Sequence, residues 1–227
     1  MVTVISLGGS IVAPDKADEV FLKDFAALVR TLLDEDSERR FILVVGGGGP
    51  ARAWQEAYRA AASAPSDDEA DWIGVMATRL NAQLIRGILR EWCPQEVITD
   101  PTQAVAFEGR VLVAAGWKPG FSSDYDAVLF AERFHADTVI NLSNIAQVYT
   151  DDPKSNPQAK PIDRISWKDF RALVGDQWIP GKNVPFDPVA SRRAMNIGLR
   201  VICAAGRNLE NLKKILNGRP FLGTIIT

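Results

Sequence analysis

The run Phe41-Ile42-Leu43-Val44-Val45 is apolar at every position and stops at Gly46-Gly47-Gly48-Gly49-Pro50. A strand with one wet face would alternate apolar and polar residues. A continuous apolar strand is covered on both faces, as inside a parallel sheet. The same layout occurs once before, where the buried strand predicted over Val2 to Leu7 ends at Gly8-Gly9-Ser10. Each glycine knot precedes a segment with helical periodicity. Glycine lets the chain turn sharply and lets main-chain N–H groups approach an anion with no Cβ in the way, and a following helix N-terminus adds partial positive charge. Two such loops in consecutive strand–loop–helix units point to a polyanionic ligand, or to two phosphorylated ligands held side by side.

The remaining chain keeps this alternation. Phe21, Phe25, Leu28, Val29, Leu32 and Leu33 have amphipathic helical spacing. A helix should follow the second knot as far as Tyr58, and Trp72, Met76, Leu80, Leu84 and Ile88 mark a longer one ending before Pro94. Short strands are expected at Val97 to Thr99, Val111 to Ala115, Thr138 to Leu142 and Leu199 to Ala204, separated by helices around Val128 and Ala194. Ser166 and Asp169 form a capping-box pattern, and Asp187-Pro188 places an N-cap before a proline at the first helical position. The expected fold is α/β, a mainly parallel central sheet with helices on both faces. The 227 residues suffice for one large domain or two small lobes, with the turn-rich Thr150 to Pro161 as a lobe boundary or nucleotide-facing loop.

A net charge of −2 provides no general attraction to nucleic acid or to anionic membranes, so any phosphate affinity must come from local loops. Cys93 and Cys203 lie in apolar surroundings without a CxxC pairing and read as reduced core residues of a cytoplasmic protein. No apolar run approaches the roughly 20 residues that span a bilayer, and no basic segment of a cleaved signal precedes the first strand.

Several constellations have both a chemical and a plain structural reading. Gly46 to Ala51 fits a loose G-x-G-x-x-A pattern, but it follows the second strand and lacks the acid that a dinucleotide site carries after its next strand. Asp71, Gly74 and Thr78 share one helix face, opposite Trp72, Met76 and Leu80; that face either binds a polar ligand or is simply solvated. Gly116 to Asp124 joins a strand to a helix, where α/β sheets place ligand contacts, and Ser123 or Asp124 would serve as the N-cap. Asn141 to Pro153 combines polar residues, Tyr149 and an acidic turn: Tyr149 could flank a base and Asp152 bind a ribose or act through Mg²⁺, or the residues merely cap a turn. His135, the single histidine, reads as a surface or cap residue. The expected metal is Mg²⁺ carried on nucleotide phosphates, with no protein ligand set assigned.

Taken in order, these segments resemble the amino acid kinase fold family, and within it the archaeal-type uridylate (UMP) kinases. The matching residues are Gly8-Gly9-Ser10, Gly46-Gly47-Gly48 with Arg52, Asp71-Trp72-Ile73-Gly74 running into Ala77-Thr78-Arg79-Leu80-Asn81-Ala82, Pro119 to Asp124, Ser143-Asn144 with Val148 to Pro153, Asp187-Pro188, and Gly223-Thr224. The knots indicate only the superfamily; the helix from Asp71 to Ala82 points to the uridylate kinases.

The resemblance implies a three-layer sandwich formed by a single domain over 1–227, with an acceptor lobe over 1–137 and an ATP lobe over 138–227. It implies phosphoryl transfer from ATP to UMP with Mg²⁺, and a homo-oligomer, usually a hexamer. Gly8, Gly9, Ser10, Gly48 and Arg52 would contact the ATP phosphates, with Ser143, Asn144, Tyr149 and Asp152 around adenosine. Gly47, Asp71, Thr78 and the loop Trp117, Lys118, Pro119, Gly120, Phe121, Ser122 and Ser123 would hold UMP. Ser10, Arg52, Asp124 and Lys182 are the catalytic candidates, Asp124 by orienting donors and Lys182 by its loop position. The chain departs from the family at Ser6, where many members carry lysine although the archaeal branch does not. It also departs at Ala146-Gln147, where an Asp-Gly pair is usual, and at Trp117, Lys118 and Phe121, where small, polar or histidine residues are usual. Those departures keep two alternatives open: another small-molecule kinase of this fold, or a nucleotide-binding regulatory protein without turnover.

Overall fold

Successive side chains of the apolar run after Arg40 enter opposite layers of the computed structural model, which describes residues 2–153, 155–177 and 184–227. Phe41, Leu43 and Val45 join one core cluster, while Ile42 and Val44 join the other. Strand period and burial on both faces together account for the unbroken apolar sequence.

The first half of the chain runs β1 (Val2–Leu7), α1 (Gly9–Val12), α2 (Glu19–Glu35), β2 (Arg40–Val45), α3 (Gly48–Ala61), α4 (Asp67–Ile88), β3 (Val111–Ala114) and α5 (Ser123–Arg133). The second half runs β4 (Thr138–Ser143), β5 (Val148–Tyr149), β6 (Pro161–Ile162), β7 (Arg164–Ile165), α6 (Trp167–Val174), α7 (Pro188–Asn196), β8 (Arg200–Ala205), α8 (Leu209–Leu216) and β9 (Thr224–Ile226). The main sheet has the order β3-β2-β1-β4-β8-β9-β7, and β5 pairs with β6 in a separate hairpin. All pairings in the main sheet are parallel except β8 with β9. Phe25, Val29 and Leu32 of α2, Ala82 and Ile85 of α4, and Leu212 of α8 cover one face. Val128 and Phe130 of α5, Phe170 of α6, and Ala190 and Ala194 of α7 cover the other. Cys93 and Cys203 are buried free thiols, one in each cluster. Helices therefore flank a mainly parallel sheet, as the alternation of elements predicts.

Local differences have local causes. The segment expected as a strand at Val97 to Thr99 forms only a single bridge, Ile98 to Ala114. β7 and β9 are too short to show a period. Ser122, not Ser123 or Asp124, caps α5 by accepting from Tyr125 N at 3.2 Å, because the Asp124 carboxylate is turned inward to other donors. Ser166 and Asp187 cap α6 and α7 as expected.

The apolar stripe that marks α4 faces outward, with Trp72 38%, Met76 57% and Leu80 70% exposed, while Ala70, Val75, Ala77, Asn81 and Ala82 form its buried side. Further along α4, a Cβ added to Gly87 would meet nothing within 4 Å, and the residue has no positive φ. Gly87→Ala is expected to raise stability by about 0.5–1 kcal/mol by reducing the freedom of the unfolded chain, read as a higher melting temperature.

Candidate active site

The sheet order places the carboxyl ends of β3, β2, β1 and β4 side by side. The Gly116 loop, the Gly46 knot, the Gly8 knot and Ser143-Asn144 leave from those ends. The chain leaves β1 for β2 on one side, and β4 lies on the other; open α/β sheets bind ligands at such a switch point.

The two knots are pressed together. A Cβ on Gly9 would lie 2.0 Å from Gly48 N, and one on Gly46 would lie 2.6 Å from Gly9 N. Gly48 has φ +68, and its Cβ would meet Ala13 O at 2.3 Å and Gly9 O at 2.4 Å. Backbone packing thus demands glycine here before any ligand is considered. The N–H groups of Gly8, Gly46 and Gly49 are spent on Leu142, Leu7 and Ala13 carbonyls. Those of Gly9, Ser10, Gly47 and Gly48 have no acceptor among the described residues. Unspent donors at two adjacent helix N-termini, α1 and α3, are suited to an anion.

A cavity of about 300 Å³ opens beside the second knot and is walled by α3, α4 and the loop after β3. It brings together Gly47, Gly48, Arg52, Asp71, Thr78, Lys118, Pro119, Gly120, Phe121, Ser122 and Ser123 from the predicted set. Trp117 is not in the lining; it packs on Phe121 with ring centroids 4.8 Å apart, and Phe121 packs on Tyr125 at 5.1 Å. Lys118 Nζ sits 3.9 Å from the Trp117 ring centroid, a cation–π contact that draws the loop's basic side chain over its aromatic one. Asp71, Gly74 and Thr78 lie on one wall, so the face predicted by their spacing is turned to the cavity.

α4 also organises the loops around that cavity. Asn81 Nδ2 donates to Gly46 O at 2.9 Å and Gly47 O at 3.0 Å, which fixes the second knot. Thr78 Oγ1 accepts from Gly116 N at 2.7 Å while donating to Val75 O at 2.6 Å. Asp71 Oδ2 accepts from Gly120 N at 3.2 Å.

Beneath the loop lies a group of inward-facing carboxylates. Asp124 accepts from Ser6 Oγ at 3.0 Å and from Asp187 N at 3.2 Å. Enclosure pushes its carboxyl up to about 6, and the nearby Asp187 charge adds to this. It joins the end of β1 to the start of α7 and is not in the cavity lining. Asp126 is fully buried; Oδ2 accepts from Trp117 N at 3.2 Å, while Oδ1 has no partner among the described residues. Burial pushes its carboxyl up to about 7. Asp187, which also borders the cavity, is raised by burial.

On the other side of the first knot, a Cβ on Gly8 would lie 3.6 Å from Ser143 Cα. Tyr149 is on β5, and Asp152 lies in the loop that joins β5 to β6. Ser143, Asn144, Tyr149 and Asp152, with Gly8, Gly9 and Ser10, lie outside that cavity. Gln147, in the pair that departs from the family, is buried and donates to Asp163 Oδ1 at 2.7 Å and Gly223 O at 3.2 Å, tying the hairpin to the chain's end. Lys182 lies outside the described residues.

Sequence reading misses Gln55, Tyr125 and Val189, which line the cavity, and Asp126 below it. Tyr125 had a signal: it continues the four-residue spacing Trp117, Phe121, Tyr125. Gln55 and Val189 had none, because their placement depends on how α3 and α7 converge.

Comparison with known proteins agrees with this arrangement. The sequence model of the amino acid kinase family matches residues 1–205. A uridylate kinase of Methanospirillum hungatei is 34% identical, covering 99% of this chain and 94% of its own. One from Thermoplasma volcanium is 33% identical over 98% of this chain and 96% of its own. The crystal structure of uridylate kinase from Archaeoglobus fulgidus superposes with a TM-score of 0.85 at 31% identity, covering 100% of both chains. Paired glycine knots at adjacent strand ends, the parallel sheet that presents them and a match through nearly the whole length lead to one assignment: the chain belongs to the amino acid kinase family.

Proposed function

We propose that this protein is an ATP-dependent UMP kinase, transferring the γ-phosphoryl group of ATP to a phosphate oxygen of UMP and releasing ADP and UDP. The observation that carries this reading is the union of unspent N–H groups on the touching knots with an adjoining cavity walled by Asp71, Thr78 and the 116–123 loop. Full-length similarity to uridylate kinases supports it.

In this reading Gly8, Gly9, Ser10, Gly48 and Arg52 receive the ATP phosphates, and Ser143, Asn144, Tyr149 and Asp152 surround adenosine. Gly47, Asp71, Thr78 and the loop hold UMP. The acceptor thus lies on the 1–137 half, and ATP runs from the knots of that half to Ser143, Asn144, Tyr149 and Asp152 on the 138–227 half. Phosphoryl transfer requires alignment of donor and acceptor and neutralisation of charge on the transferring group. Fixed N–H donors on the two knots need no reorganisation during reaction, and Arg52, which borders the cavity beside the second knot, supplies positive charge. Asp124 holds Ser6 and the start of α7 in register. Mg²⁺ enters with ATP: among the described residues no three His, Cys, Asp or Glu converge on a metal position, a setting that fits an ion keeping water and phosphate ligands.

We place the protein in the cytoplasm, where Cys93 and Cys203 remain thiols, and read it as a homo-oligomer. Trp72, Met76 and Leu80, exposed at four-residue spacing along α4, are the kind of apolar surface that subunit contacts cover.

A coupled assay of ADP release with UMP, CMP, dUMP and small phosphorylated metabolites tests the assignment. Preference for a non-nucleotide acceptor overturns it, and ATP binding without turnover favours the regulatory alternative. Asp71→Ala is expected to raise the KM for UMP by about tenfold or more, with little change for ATP. Equal changes in both constants would make Asp71 a structural residue only.

A further inference from the structure

The backbone of the loop after β3 is held by polar side chains of both flanking helices. Thr78 takes the Gly116 N–H, Asp71 takes the Gly120 N–H, and Asp126 takes the Trp117 N–H. The carbonyls are held by one residue. Arg79 Nη2 donates to Trp117 O at 2.9 Å, and its Nε lies 3.4 Å from Gly116 O.

Thr78 and Arg79 are adjacent on α4 and hold the two sides of the same residue, donor and acceptor. Trp117 is the joint between the helices, its N–H bound from α5 and its C=O from α4. A planar guanidinium presents Nε and Nη2 on one edge, which suits two successive carbonyls in a way that a lysine ammonium cannot. Among the described residues Arg79 has no carboxylate in ion-pair contact. Its guanidinium carbon lies 5.8 Å from the Trp72 ring centroid, within cation–π reach. Its bonds to backbone oxygen are therefore charge-assisted and uncontested by a carboxylate.

We propose that Arg79 is a positioning residue for the phosphoryl acceptor, fixing the loop at Gly116 and Trp117 so that the wall from Lys118 to Ser123 meets the nucleoside monophosphate in one arrangement. The inference rests on the UMP kinase reading. A loop already ordered before binding loses less freedom when the acceptor arrives. Arg79 itself is not in the cavity lining, so its effect passes through the loop.

The test uses full-length wild type, Arg79→Gln and Arg79→Lys, with KM and kcat measured for both substrates and amide exchange followed without substrates. In Arg79→Gln the KM for UMP is expected to rise about tenfold and that for ATP to stay within about twofold. Arg79→Lys should recover part of the loss, because an ammonium can reach only one carbonyl. Amides of Gly116, Trp117 and Gly120 should exchange faster in both variants while those of β1 and β2 are unchanged. Unchanged UMP KM, parallel rises in both constants, or unchanged loop exchange overturns the proposal. If Arg79→Gln does not fold, Arg79→Lys carries the same comparison. If wild type does not phosphorylate UMP, the acceptor role falls with the kinase reading, whereas the exchange rates still decide whether Arg79 holds the loop.

Discussion

Gly9→Ala is expected to remove about 3 kcal/mol or more of stability, at or beyond the upper range for overpacking, and to abolish turnover with it. The added carbon would lie 2.0 Å from Gly48 N and 2.6 Å from Gly47 C and Gly48 Cα. Those atoms are backbone, so no rotamer change can relieve the overlap. Separation would have to pull β1 and β2 apart at their carboxyl ends, where Leu7 pairs with Val45 and Gly46 N donates to Leu7 O. Gly120→Ala provides the control. Gly120 has φ +80 but open space around a Cβ, so its cost is the left-handed conformation alone, roughly 1–2 kcal/mol. Thermal and denaturant unfolding of the two variants should therefore differ clearly. Equal losses would mean that the knots are not packed backbone to backbone. ATP should not rescue Gly9→Ala, because the clash exists without ligand.

That result bears on what glycine means in such a sequence. Both knots were legible as turns that let main-chain donors face an anion. Their packing against each other was not, because it depends on β1 and β2 being neighbours. The unspent N–H groups and the close packing follow from one requirement, that two loops meet at adjacent strand ends. A single glycine-rich loop could satisfy the turn without the contact.

Helix α4 shows the same limit on sequence reading. Its periodicity identified the helix and placed Asp71, Gly74 and Thr78 on a common face. The larger apolar residues suggest by themselves which side should enter the core, yet Trp72, Met76 and Leu80 face outward. Small Ala70, Ala77 and Ala82 with Asn81 occupy the inner side, because α4 passes close to the second knot and Asn81 must reach two of its carbonyls. Size ranks hydrophobicity but not distance of approach. The contacts of Arg79, named only as part of the motif, and of Asp126 were not legible for a related reason: each side chain bonds to loop backbone, and backbone acceptors and donors leave no mark in residue type.

The protein should become less stable as pH rises from 5 to 8, and Asp126→Asn should flatten that dependence. Asp126 has its carboxyl raised by burial from 3.8 to about 7, and Asp124 to about 6. In the unfolded chain both ionise near the ordinary value. Between about pH 4 and 7 the folded state thus binds more protons than the unfolded state, and stability falls with increasing pH. The favourable difference is complete below the unfolded value and is lost as pH passes through the folded one. For Asp126 alone this corresponds to roughly 4 kcal/mol at most, taking 1.36 kcal/mol per tenfold change in proton affinity. Asparagine retains an oxygen for the Trp117 N–H but places an amide where Oδ1 has no partner among the described residues, at a cost of about 1–3 kcal/mol. The net gain at pH 8 should be about 1–3 kcal/mol, several degrees in melting temperature for a chain of this length. At pH 5 the gain should vanish or reverse, because wild-type Asp126 is then already protonated while the asparagine penalty remains. Melting curves at pH 5, 6, 7 and 8 test both statements. A wild-type melting temperature that rises over this range, or a variant profile parallel to wild type, would mean that Asp126 enters the fold already ionised and has a cationic partner in solution.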